Sequence, residues 1–238
     1  MKSFWNKKIE NKINFPRIKE NIETSVCIIG GGLTGLNTGY YLSKETDIVI
    51  VEKDEICSST SGKNTGKITS QHGMFYKYLI ESNGKKFAKK YLEANEKAID
   101  NIEKIIKNEN IECDFEREIA YVFSRTENGI NQIKDEKKAI EKIEKGKGQV
   151  VENIDLPIPE ASAIKFDNQA KFNPVKYAYG LANCILKNNG RILENSKATE
   201  INKVGNKYEI YVNEYKITAD KVVLATRYPT INIPGYYF

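Results

Sequence analysis

Residues 25–42, SVCIIGGGLTGLNTGYYL, followed four residues later by DIVIVE at 47–52, decide the fold. The β-branched run before the glycines predicts a buried strand at 24–29, and Leu33 to Lys44 predicts a helix. Gly35 and Gly39 lie four apart, on one helix face, where the missing side chains let the helix approach the strand closely. DIVIVE is a second buried strand, so the stretch reads as a right-handed βαβ unit. Gly30, Gly32 and Gly35 form GxGxxG at the strand-to-helix turn, and Glu52 ends the second strand 22 residues after the first glycine. Together these residues provide a tight turn, close approach of backbone to a pyrophosphate, close helix packing, and a carboxylate for ribose hydroxyls. The helix N-terminus adds unpaired N–H groups for phosphate. The fingerprint suits NAD and FAD equally, since both carry ADP.

Beyond Glu52 the periodicity stops. EICSSTSGKNTGKITSQHG at 55–73 has almost no apolar face. Long loops inside compact domains are usually functional, and this one carries enough backbone and hydroxyl donors to cradle a ribityl chain and flavin ring. The open alternative is a flexible surface loop. An amphipathic helix is predicted over 85–108, with Phe87, Tyr91, Leu92, Ile99, Ile102, Ile105 and Ile106 on its apolar stripe. Residues 112–172 read as an inserted α+β region: a strand in IAYVFS, a charged helix over 131–146, and short extended pieces around VVENI and SAIKF. A helix with Pro174 at its first position follows and stops at Gly190. RILEN, KYEIYVN, YKIT and KVVLAT, separated by GN, NE and AD turn signals, suggest a strand, a small antiparallel meander and a return strand ending at Ala225 and Thr226.

The chain has 238 residues, 40% hydrophobic and 29% charged, enough for one large or two modest domains. Its net charge of +5 is spread among interleaved acids and bases, which argues against a nucleic-acid surface. Cys27, Cys57, Cys113 and Cys184 include no CxxC pair, so neither a zinc site nor a redox dithiol is indicated. The N-terminus lacks a signal-peptide core, and the apolar stretch from Val26 to Leu42 is cut by five glycines, so no membrane span is expected and a cytoplasmic location is. His72 is the only histidine, and it reads either as a substrate-facing group or as a structural hydrogen-bonder. Tyr177 and Tyr179 read as helix surface or core.

VCIIGGGLTGLNTGYYL, VEKD and TSGKNTGKITSQHG together resemble the D-amino-acid oxidase-like superfamily of FAD-dependent oxidoreductases, and within it the bacterial branch whose members often carry a C-terminal Rieske domain. Phe4–Trp5, YLEANEKAID, CDFEREIAYVFS, FDNQAKFNPVKYAYGLA and VVLATRYP extend the likeness over nearly the whole chain. The resemblance implies an α/β fold with a Rossmann-like FAD-binding sheet, an N-terminal arm at 1–22, an FAD-binding domain from 23–111 and 173–238, and a substrate-domain portion at 112–172. It implies FAD as cofactor, with Gly30, Gly32 and Gly35 at the pyrophosphate, and Glu52 at the ribose with Lys53 beside it. Thr60, Ser61, Gly62, Asn64, Gly66, Lys67 and Ile68 would line the flavin, Ala198 would meet the adenine, and Ala225 with Thr226 would flank the dinucleotide. The implied chemistry is hydride transfer from the carbon beside an amine, in a small amine or amino acid, to flavin. Relatives continue past the ATxYP strand whereas this chain stops at Phe238. The resemblance therefore implies a fragment, a truncated frame or one half of a split enzyme that a partner polypeptide completes, with weak flavin retention when isolated. The alternative is a non-catalytic dinucleotide-binding fragment.

Overall fold

The computed structural model describes residues 3–7, 13–152, 154 and 162–226. Arg227 to Pro229 of the ATRYP motif, and the residues from there to Phe238, lie outside the described residues. The chain divides into two compact units, residues 1–65, 111–113 and 173–238, and residues 66–110 and 114–172.

The first unit begins with a one-turn helix α1 (Phe4–Lys7) and is built on β1 (Ile22–Ile29), α2 (Leu33–Leu42) and β2 (Ile48–Val51). Strands β1 and β2 pair in parallel, with Val26 opposite Ile48 and Ile29 opposite Val51, as the βαβ reading requires. All four residues of β2 are buried, because both faces of the sheet are covered. Cys27, Ile29, Val49 and Val51 contribute to a cluster with Ile210, Val212, Ile217 and Ala219. On the helix side, a side chain at Gly39 would come within 2.7 Å of Ile50, 3.1 Å of Ile185 and 3.3 Å of Ile48. Gly39 is therefore glycine because α2 packs directly on the strand.

In the second unit, β3 (Lys67–Ile68), α3 (Tyr76–Asn83), α4 (Lys85–Asn108), β4 (Glu116–Ser124), α5 (Glu127–Glu141), β5 (Gln149–Val151) and β6 (Ser162–Lys171) form a separate antiparallel sheet with its helices. Strand β6 is central, pairing β4 along one edge and β3 and β5 along the other. Tyr76, Leu79, Ala88, Leu92, Ile133 and Ile140 from the three helices cover Ala120, Ile164 and Phe166 on one sheet face.

The chain then returns to the first unit through α6 (Pro174–Lys187), β7 (Arg191–Leu193), β8 (Ala198–Val204), β9 (Lys207–Val212) and β10 (Tyr215–Leu224). Asn173 caps α6 by accepting from Val175 N and Lys176 N at 3.1 Å, with Pro174 in the first turn. The six strands run β7-β2-β1-β10-β9-β8, parallel from β7 to β10 and antiparallel from β10 to β8.

Four sequence expectations need correction. The Ala219–Asp220 pair is no turn: Tyr215 to Leu224 is one strand, antiparallel to β9 and parallel to β1. Ala219 is buried and Asp220 exposed, so the pair continues the in-out alternation. Helix α3 was not anticipated. Its N-terminus is capped from a distance, by Glu136 of α5, whose buried carboxylate accepts from Tyr76 N at 2.7 Å and Lys77 N at 2.9 Å. Phe87 leaves the apolar stripe of α4 and is 49% exposed, since the stripe turns inward at Ala88 and Leu92. Finally, residues 66–110 group with the inserted region rather than with the dinucleotide unit, because α3 and α4 bury their apolar faces in the cluster over β4 and β6.

Candidate functional site

Gly30 adopts φ +114°, a conformation L side chains rarely take, and a Cβ there would lie 2.7 Å from the Ala225 carbonyl oxygen. A Cβ at Gly35 would fall 1.9 Å from the Gly30 carbonyl oxygen. These two glycines are required by backbone-on-backbone packing. Gly32 differs: among the described residues, the atoms within 4 Å of its missing Cβ belong to the Ser61 side chain, with Oγ at 2.9 Å. It stands at the N-cap of α2, with no side chain capping the helix from that position. Ser61 Oγ accepts from Leu33 N at 3.0 Å, so a hydroxyl meets a first-turn donor of α2. An anion at this helix end would be held by the same kind of donor.

Glu52 is positioned before any ligand arrives. Its carboxylate accepts from Gly31 N at 2.8 Å and from Asp54 N at 3.0 Å, one bond to each oxygen. Each oxygen keeps acceptor capacity, which suits a vicinal diol. Gly31 was missed in the sequence because it is a variable position of the motif. A Cβ there would meet Ile56 at 2.9 Å and the Glu52 side chain at 3.0 Å, so a larger residue would displace the carboxylate. Lys53 is exposed and lies 3.8 Å from Asp54.

The end of β7 secures this corner. Glu52 N donates to Leu193 O at 2.9 Å, and Ser196 N donates to Glu52 O at 2.8 Å. Buried Glu194 accepts from Ile56 N at 2.7 Å, and Ser196 Oγ accepts from Ile18 N at 3.0 Å. Glu194 and Ser196 also escaped sequence reading, since their partners are more than a hundred residues away. Ala198 follows directly, buried at the start of β8. Ala225 N donates to Ile29 O at 2.9 Å, which sets the Ala225–Thr226 strand end beside the glycine turn.

The polar loop is folded onto the fingerprint. Cys57 N donates to Gly31 O at 3.0 Å, and Cys57 has φ +53°. Residues Thr60–Gly62 form a 3-10 turn, and a Cβ at Gly62 would lie 1.9 Å from the Cys57 carbonyl oxygen. Asn64 Nδ2 donates to Ser61 O at 2.8 Å, while Trp5 Nε1 donates to Asn64 O at 2.7 Å. Burial pushes the Cys57 thiol up to about 12, with the Glu52 charge adding to the effect, and burial alone does the same to Cys27. All four cysteines are buried and none is in a disulfide, as expected of structural thiols.

Gly66, Lys67 and Ile68 belong to the second unit, where Lys67 and Ile68 form β3. His72 is exposed in that unit, and its Nδ1 lies 2.9 Å from the Tyr91 hydroxyl. Tyr177 and Tyr179 are core residues, Tyr177 donating to Asn37 Oδ1 at 2.9 Å. Among the described residues no group of His, Cys, Asp and Glu is arranged to hold a metal ion, and no helix is long and apolar enough to cross a membrane.

Known proteins resemble this chain in sequence and in fold. Residues 25–228 match the family described as FAD dependent oxidoreductase, abbreviated DAO. A Bacillus subtilis protein named Rieske 2Fe-2S iron–sulfur protein YhfW is 31% identical over 225 residues, 94% of this chain and 44% of that protein. Gamma-glutamylputrescine oxidoreductase of Escherichia coli is 25% identical over 201 residues, 79% of this chain and 45% of the enzyme. The chain thus spans less than half the length of these two relatives. Glycine oxidase from Geobacillus kaustophilus superposes with TM-score 0.67 at 16% identity, covering 86% of this chain and 55% of that one. L-amino acid deaminase from Proteus vulgaris, with its specific insertion sequence deleted, superposes with TM-score 0.70 at 15% identity, covering 89% of this chain and 55% of that one. At such identities the superpositions establish the fold. The match through residues 25–228, which contains the glycine turn, Glu52 and the return strand, shows that this chain belongs to the DAO family of FAD-dependent oxidoreductases.

Proposed function

We propose that this polypeptide forms the dinucleotide-binding part, and a portion of the substrate part, of an enzyme that oxidises a small amine or amino acid with FAD. The observation that carries the reading is the Glu52 corner. Two backbone N–H groups hold the carboxylate at the end of β2, next to a glycine turn in which a Cβ at Gly30 or Gly35 would meet backbone and one at Gly32 would meet the Ser61 side chain. Bound FAD supplies the hydride acceptor. Gly30, Gly32 and Gly35 shape the turn for the pyrophosphate, the α2 N-terminus presents N–H donors to it, and Glu52 accepts from the ribose hydroxyls, with Lys53 exposed beside it. Ala198 offers backbone to the adenine, and Ala225 and Thr226 flank the dinucleotide. Thr60, Ser61, Gly62 and Asn64 line the flavin, and the second unit serves substrate.

The names of the E. coli relative and of the glycine oxidase support a substrate bearing an oxidisable C–N bond. The test is anaerobic mixing of the FAD-loaded protein with single amines and amino acids while the visible flavin band is followed. Bleaching by at least one of them, with the matching imine-derived carbonyl product, is expected. Full retention of the oxidised spectrum with the whole set would contradict the assignment.

A further inference from the structure

Helix α1 is a single turn, too short to hold its shape alone, so its order comes from what it touches. It lies against α6. Phe4 is 60% exposed, which leaves half-buried Trp5 as the anchoring side chain. The two rings meet edge to face with centroids 5.1 Å apart. Trp5 Nε1–H donates to the backbone carbonyl oxygen of Asn64 at 2.7 Å, a bond between residues 59 apart in sequence. Further along the N-terminal arm, buried Phe15 stacks on Tyr179 of α6 with centroids 6.5 Å apart, a second attachment to the same helix.

From Asn64 the bonds lead to the glycine turn. Asn64 Nδ2 donates to Ser61 O at 2.8 Å, and Ser61 Oγ accepts from Leu33 N, a first-turn donor of α2, at 3.0 Å. Lys63 N donates to Thr60 O at 3.1 Å, and Gly62 leaves no room for a side chain against Cys57 O, so residues 60–64 are one tightly bonded turn. Cys57 N is fixed in turn to Gly31 O. The polar loop is therefore held at its start by the fingerprint and near its end by a side chain from the N-terminal arm. Each such attachment removes conformational freedom from the loop before a ligand has to.

We propose that Trp5 is a positioning residue for FAD: its indole N–H fixes the Asn64 carbonyl, and through Asn64 and Ser61 it sets the hydroxyl that stands at the N-terminus of α2. The N-terminal arm is thus a strap over the cofactor loop. This rests on the reading of residues 60–64 as part of the flavin site and adds to that site a residue from the opposite end of the first unit's sequence. The coupling runs both ways, since whatever factor the Trp5 bond contributes to FAD affinity, bound FAD returns to the Trp5 bond.

Trp5 is the chain's single tryptophan, so one indole N–H resonance and one residue-type replacement read the strap. In the full chain produced with the benzothiophene analogue of tryptophan, sulfur takes the place of Nε1–H while the ring keeps its shape. FAD should bind that protein about three- to tenfold more weakly, as expected for one neutral hydrogen bond. The FAD-free unfolding midpoint should match that of the unaltered chain, and 5-fluorotryptophan, which keeps the N–H, should restore full affinity. In the unaltered chain, saturating FAD should slow exchange of the indole N–H with water by the same factor. Equal FAD affinity with the benzothiophene analogue, an indole exchange rate indifferent to FAD, or a weakening matched by an equal fall in FAD-free stability would overturn the proposal. An unaltered chain that binds no FAD refutes the functional reading and the strap with it, whereas FAD bound equally by both proteins refutes the strap alone.

Discussion

Gly32 and Gly35 stand three residues apart in one motif, yet a side chain would act differently at each. At Gly35 it would collide with a backbone carbonyl and force α2 off the sheet, whereas at Gly32 it would meet, among the described residues, the end of the Ser61 side chain, which can rotate. Glu52 has a comparable double character, since its two hydrogen bonds to Gly31 N and Asp54 N build the turn while each oxygen keeps acceptor capacity. Glu52→Gln keeps one acceptor oxygen and exchanges the other for an amide nitrogen, which cannot accept. FAD affinity should fall by about 1.5–3 kcal/mol, the range for hydrogen bonds to a charged group. Calorimetric titration checks this, and unchanged affinity would remove Glu52 from the ribose. The glycines and the carboxylate were legible because their spacing is local and each needs a particular residue type. Gly31 and Glu194 were not, because what makes them necessary is a contact formed only in the folded chain, with Glu52 and with Ile56 N respectively.

Helix α3 and strand β10 show the same limit one level up. Nothing in residues 76–83 supplies an N-cap, and the helix exists because Glu136, on α5, brings its carboxylate to Tyr76 N and Lys77 N. Burying that carboxylate is costly, but two N–H bonds and the positive helix end offset the cost. Glu136→Ala would leave the buried Tyr76 N–H and the part-buried Lys77 N–H unpaired, and a loss of about 1–3 kcal/mol is expected, chiefly from the buried donor. Urea unfolding measures the loss, with amide exchange rising first in α3, and an unchanged midpoint would show that the cap is dispensable. By contrast α2, α4 and α6 were readable, through glycine spacing, a long apolar stripe and the Asn173–Pro174 start. The Ala219–Asp220 pair misled because turn chemistry is weaker than two flanking strands: Ala219 pairs with both Thr24 and Tyr208.

For the whole molecule, alternation and motif spacing identified the parallel βαβ sheet, the meander and an inserted region, while the assignment of residues 66–110 to the second unit depended on apolar faces whose partners lie far away in sequence, as Phe166 does from Tyr76. The family follows from the match over residues 25–228. The central claim is that the first βαβ unit binds FAD, and FAD titration of the purified chain beside Gly32→Val tests it most directly. The valine should weaken FAD at least tenfold, roughly 1.4 kcal/mol or more, with the unfolding midpoint close to that of the unaltered chain. Equal FAD affinity in the two proteins, or no binding by the unaltered chain, would contradict the account.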